Sequence, residues 1–177
     1  MKNNSDKTKS NIVLIGMPGS GKSTCGVLLG KLSCKDFLDT DLLIQQSEGM
    51  RLQEIIDTKG TDYFACAEER ILSELRAENT VIATGGSAVC YESAMKNLAE
   101  NGVIVYLKIT FDCMMERITD LATRGILLHE GETMLDMFRS REALYMKYAD
   151  ITVDCEESAV ALNVAKILGE YEKYLNG

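Results

Sequence analysis

The stretch Gly16-Met17-Pro18-Gly19-Ser20-Gly21-Lys22-Ser23-Thr24 constrains this chain more than any other. It matches G-x-x-x-x-G-K-[ST], the phosphate-binding loop that joins a strand to a helix. The apolar run at 12–15 leads into it, and Val27, Leu28 and Leu32 lead out at helical spacing. Glycines let the backbone wrap an anion so that successive N–H groups point inward, and the positive end of the following helix adds to the field. The motif therefore makes Gly19, Ser20, Gly21, Lys22, Ser23 and Thr24 the candidate nucleotide-binding residues. Lys22 offers a mobile cation to the outer phosphates and Ser23 a hydroxyl to Mg²⁺. ATP and Mg²⁺ are the expected ligands.

Strand-length apolar runs recur at 12–15, 37–38, 81–83, 103–107 and 151–153. Helical patterns fall at 26–32, 42–46, 52–59, 62–78, 111–122, 135–149 and 157–175. In the fourth of these, Phe64, Ala67, Ile71 and Leu75 form one stripe. Alternating strand and helix predicts an α/β fold, a central five-stranded parallel sheet in a three-layer α/β/α arrangement. A single domain is expected over 11–177, after a polar, disordered tail at 1–10. Ligands of such sheets gather beyond the carboxyl ends of the strands. Three clusters lie there: the glycine loop, Asp39-Thr40-Asp41 and Thr84-Gly85-Gly86-Ser87. Taken alone, Asp39-Thr40-Asp41 also reads as an Asx-turn or a helix cap.

Hydrophobic residues make up 46% of the chain, enough for a core. Its 19 Lys and Arg against 27 Asp and Glu leave a formal charge of −8, which argues against a nucleic-acid surface. Six cysteines occur without a C-x-x-C pair, and His129 is the one histidine, so reduced thiols are expected rather than a metal centre. The polar residues 1–10 do not read as a secretory signal, and no run reaches the roughly 20 apolar residues of a membrane helix. A cytoplasmic protein is the expectation.

The ordered set of motifs resembles the shikimate kinase family, small P-loop kinases that phosphorylate a hydroxyl of a cyclic carboxylic acid. The matching pieces are the glycine loop, Asp39-Thr40-Asp41, Phe64 with Glu68, Gly85-Gly86, Arg124-Gly125-Ile126-Leu127-Leu128, and Arg141 with Leu144-Tyr145. The resemblance implies phosphoryl transfer from ATP to shikimate, a step of aromatic amino acid biosynthesis, by a cytoplasmic monomer. It gives Asp41, Gly85, Gly86 and Arg141 to the acceptor. It places Asp39 beside Mg²⁺ and the attacking hydroxyl, where a carboxylate can take that hydroxyl's proton. It puts Arg124 on the transferring phosphates and Arg117 near the adenine. The catalytic set it implies is Lys22, Asp39 and Arg124, with Ser23 and Asp39 at the metal. Residues 42–78 correspond to the acceptor-binding segment and about 118–133 to a mobile lid.

The chain departs from the family pattern at several points. Phe-Arg-x-x-Glu becomes Phe64-Ala65-Cys66-Ala67-Glu68, which removes one of two arginines that clamp the acceptor's carboxylate. Ser87 replaces the third glycine of a triplet, and the lid reads Arg-Gly-Ile-Leu. The loop at 154–158 lacks the basic and proline residues often found on the adenine side. Arg70 lies roughly 140° around the helix from position 65 and points elsewhere. Arg51 is unconstrained by pattern. These departures leave open a kinase of the same fold with another small hydroxyl-bearing acceptor, or a nucleotide-binding module without acceptor activity.

Overall fold

The computed structural model describes residues 9–118, 126, 128, 131–156 and 159–176. Five strands, β1 (Asn11–Ile15), β2 (Asp36–Asp39), β3 (Thr80–Ala83), β4 (Gly102–Lys108) and β5 (Ile151–Asp154), pair in parallel in the order β2-β3-β1-β4-β5. All five residues of β1 are buried. Successive side chains of a strand point to opposite faces, so both faces of the sheet are covered there. In β5 burial alternates, as one-sided packing at a sheet edge requires. Because β1 pairs with β3 on one side and β4 on the other, the connections part beyond its carboxyl end and leave a crevice.

Among the described residues the helices are α1 (Lys22–Ser33), α2 (Thr40–Glu48), α3 (Leu52–Lys59), α4 (Thr61–Glu74), α5 (Glu92–Asn101), α6 (Phe111–Arg117), α7 (Met134–Tyr148) and α8 (Val160–Asn176). The buried face of α1 differs from the expected stripe. Val27, Leu28 and Leu32 are exposed, while Cys25, Gly26, Leu29 and Gly30 turn inward. The reason is close packing. A β-carbon on Gly26 would lie 2.5 Å from the Phe37 ring, so the helix rests on β2 through its smallest residues.

The stripe of α4 is shifted as well. Phe64, Ala67, Glu68 and Leu72 are buried, and the helix stops at Glu74. A carboxylate therefore occupies a core position that the apolar pattern does not reveal. The helix α5 fills a stretch where the apolar spacing marks none. The helix at 111 is shorter than expected, since Ile118 leaves helical backbone at φ −89°, ψ 83°.

A small second cluster of Ile44, Leu52, Ile55 and Phe64 joins α2, α3 and α4 into the segment expected to face the acceptor. Residues 1–8 of the expected tail lie outside the described residues. Lys9 pairs with Asp150 at 3.1 Å, and the Ser10 N–H donates to Asn101 at 3.1 Å. The cysteines are unbridged. No described helix is long and apolar enough to cross a membrane.

Candidate active site

The loop between β1 and α1 forms one wall of a cavity of about 460 Å³. Gly21 caps α1 at φ 91°, a backbone that side chains with a β-carbon rarely adopt. Lys22 is buried, and its Nζ donates to the carbonyls of Gly16 at 2.7 Å and Met17 at 2.9 Å. The ammonium is thus held against the loop while lining the cavity. Gly19, Ser23 and Thr24 line it too. Ser20 is buried within the loop and does not reach the lining, although its backbone is part of the turn.

The remaining walls come from the ends of β2 and β3 and from α7. Asp41, in the first turn of α2, lines the cavity. Asp39 does not. It caps α2, its Oδ1 accepting the Asp41 N–H at 3.0 Å, so the cap reading of this motif holds in the fold. Burial and the adjacent Asp39 charge push the Asp41 carboxyl above the usual carboxylate range, against the pull of Lys22. Gly85 and Gly86 line the cavity after β3. A β-carbon on Gly85 would lie 2.6 Å from Glu68 Oε1 and 2.9 Å from Asp41 Oδ1, so two carboxylates crowd this backbone.

Glu68 is 1% exposed. Its Oε2 accepts from the Ser87 hydroxyl at 2.6 Å and from the Tyr91 hydroxyl at 3.0 Å. Burial raises its carboxyl to about 7, with Asp41 adding to the rise and Ser87, Tyr91 and Arg141 opposing it. Ser87 thus has a structural use: its hydroxyl satisfies a buried acid. Arg141 on α7 is buried at 6% exposure and lines the cavity. One turn later, the Tyr145 hydroxyl donates to the Gly86 carbonyl at 2.6 Å.

Beside the glycine loop, Arg117 at the end of α6 donates to the carbonyls of Cys155 at 3.1 Å and Glu156 at 2.8 Å, and to Gly19 at 3.4 Å. It ties the glycine loop to the segment after β5. Arg124 and His129 lie outside the described residues, as does most of the expected lid, though Ile126 lines the cavity.

Gln45, Arg51, Leu52, Thr84 and Ser87 complete the lining. Thr84 and Ser87 belong to the cluster expected after the third strand, but pattern reading did not single out Gln45. For Gln45 a signal existed, since it follows Asp41 by one helical turn and must share its face. Glu68 was legible only as part of a motif, not as a buried acid.

The lining is cationic in an acidic chain. Among the described residues, Lys22, Arg51, Arg117 and Arg141 face the cavity against one carboxylate, Asp41. The described residues hold no cluster of three His, Cys, Asp or Glu of the kind that holds a resident metal. A Mg²⁺ ion suits this donor set, because it needs one or two protein oxygens and takes the rest from phosphates and water. Among the lining residues the Ser23 hydroxyl is such an oxygen, whereas Asp39, the other expected metal oxygen, caps α2 outside the lining.

A central-strand glycine loop, a buried loop lysine and an opposing wall with a carboxylate and arginines define a P-loop kinase of small molecules. The family model for shikimate kinase matches residues 18–172. The chain is 36% identical to the shikimate kinase of Pasteurella multocida over 165 residues, covering 90% of this chain and 94% of that one. Over 170 residues it is 37% identical to the enzyme of Clostridium botulinum strain Okra, covering 93% and 97%. It superposes on a shikimate kinase from Acinetobacter baumannii in complex with shikimate with a TM-score of 0.85 at 29% identity, covering 94% and 95%. The Aquifex aeolicus shikimate kinase gives a TM-score of 0.80 at 35% identity, covering 94% and 99%. The chain belongs to the shikimate kinase family.

Proposed function

We propose that this chain transfers the γ-phosphoryl group of ATP to a hydroxyl of shikimate, with Mg²⁺ as the metal. The observation that carries this is one cavity in which a phosphate-binding loop faces Asp41, Gly85, Gly86 and Arg141. An alcohol oxygen of the acceptor forms a bond to the γ-phosphorus, the bond from that phosphorus to the β–γ bridging oxygen breaks, and ADP leaves. Asp41 accepts hydrogen bonds from the acceptor's hydroxyls. Arg141 binds its carboxylate, and Gly85 and Gly86 let it approach the backbone. Lys22 and the loop N–H groups hold the phosphates. Asp39 lies one residue before the first turn of α2, and its second carboxylate oxygen serves the attacking hydroxyl and takes its proton. Arg117 borders the adenine, and Arg124 neutralises charge on the transferring phosphates. Ser23 would hold Mg²⁺ together with the phosphates, and the ion would neutralise charge on the triphosphate.

Steady-state ADP release with shikimate as acceptor tests this. Turnover is expected, with loss of roughly 10²–10³-fold or more in Lys22→Ala. Absence of turnover at millimolar shikimate, with ATP still bound, overturns the acceptor.

A further inference from the structure

Arg51 begins α3 at the N-cap position, in extended backbone. That position favours Ser, Thr, Asp or Asn, whose side-chain oxygen accepts an N–H of the first turn. A guanidinium carries five donors and no acceptor, so Arg51 cannot cap. The turn is instead closed by Glu54, whose Oε2 accepts the Arg51 N–H at 2.9 Å. The Arg51 side chain is exposed and lines the same cavity as Asp41 and Arg141. A residue that breaks a local preference with no local gain answers to another constraint.

The other cations of the acceptor-binding segment are occupied. Lys59 and Arg70 both pair with Glu48, at 2.7 and 3.8 Å. Arg76 donates to Asn97 at 2.7 Å and to the Leu75 carbonyl at 2.9 Å. Among the described residues, the Arg51 guanidinium enters no hydrogen bond or ion pair. On α4, Ala65 sits one turn before Glu68 and offers only a methyl group.

We infer that Arg51, presented from the start of α3, is the second cation that grips the acceptor's carboxylate together with Arg141, in place of an arginine on α4 at position 65. This rests on the shikimate reading above. The same task has moved from one helix to the N-cap of its neighbour. The two helices share the apolar cluster of Leu52, Ile55 and Phe64, which packs them against each other.

The test is a kinetic series with shikimate and with its methyl ester, which lacks the charge. Arg51→Ala should raise KM for shikimate by about ten- to a hundredfold, the loss of one charged contact, and leave KM for ATP unchanged. The ester should show no such difference between wild type and variant. Arg51→Ser restores a good cap, so its thermal midpoint should not fall while KM for shikimate rises as in Arg51→Ala. Adding Ala65→Arg to Arg51→Ala should recover most of the lost affinity. An unchanged KM in both Arg51 variants, or an equal rise for shikimate and ester, overturns the inference and leaves the shikimate reading standing. A wild-type protein that neither binds shikimate by calorimetry nor phosphorylates it overturns both.

Discussion

Glu68 is the most consequential single residue that catalysis does not require as a reacting group. Its carboxyl lies under Gly85, beside Asp41, and is held by Ser87 and Tyr91. Burial raises it from 4.5 to about 7, so the folded state binds its proton more tightly than the unfolded chain does. The native protein then holds more protons between those values, and stability falls as pH rises through that window. Below about 4.5 the side chain is neutral in both states and its full contribution is present. Above about 7 the charge is buried at a cost that Ser87, Tyr91 and Arg141 offset only in part. Glu68→Gln keeps an oxygen that accepts from Ser87 and Tyr91. It should stabilise the protein at pH 8, by up to about 3 kcal/mol, and be nearly neutral near pH 4.5. Urea denaturation at the two pH values decides this, and an equal effect at both would refute it.

The helix α7 carries two functions one turn apart. Arg141 faces the cavity, and Tyr145 fixes the Gly86 carbonyl while stacking on Tyr106 at a centroid distance of 5.0 Å. The two tyrosines are fully buried, yet their hydroxyls differ. That of Tyr145 donates to Gly86, whereas that of Tyr106 is buried without a partner among the described residues. A buried hydroxyl without a partner costs stability, and a satisfied one contributes to it. Tyr106→Phe should therefore raise stability, by about 1 kcal/mol, and leave turnover unchanged. Tyr145→Phe should lower stability by a similar ~1 kcal/mol. It should also raise KM for the acceptor, because the backbone at Gly86 loses its tether. Thermal melts and initial rates of the two variants separate these outcomes. Arg141→Ala belongs to the same element and should raise KM for shikimate by roughly ten- to a hundredfold with little change in KM for ATP.

At the scale of the whole molecule, a chain of net charge −8 concentrates cations around one crevice. Binding there stabilises the fold by mass action. Mg²⁺ with ATP at a hundred times its dissociation constant should raise the thermal midpoint by about 5–10 °C, and chelating the metal should shrink that shift. A midpoint that ATP does not move would contradict the phosphate cradle. The five strands, the loop after β1 and the clusters after β2 and β3 were legible without coordinates. Each rests on local chemistry: continuous apolar runs for a sheet buried on both faces, glycines for an anion cradle, and a lysine and serine at fixed offsets. Which face of α1 turns inward was not legible, because Gly26 and Gly30 win that face by letting Phe37 and β2 come close, an advantage no hydrophobicity pattern registers. Nor was the burial of Glu68, which depends on partners 19 and 23 residues away. Sequence alone determined that this chain binds phosphates at the end of a central parallel strand, since that site is made by consecutive residues. The acceptor wall is assembled from α2, α3, the turn after β3 and α7. Only the tertiary structure decided that Arg51 stands on it, because side chains from separate elements meet solely through the packing that brings those elements together.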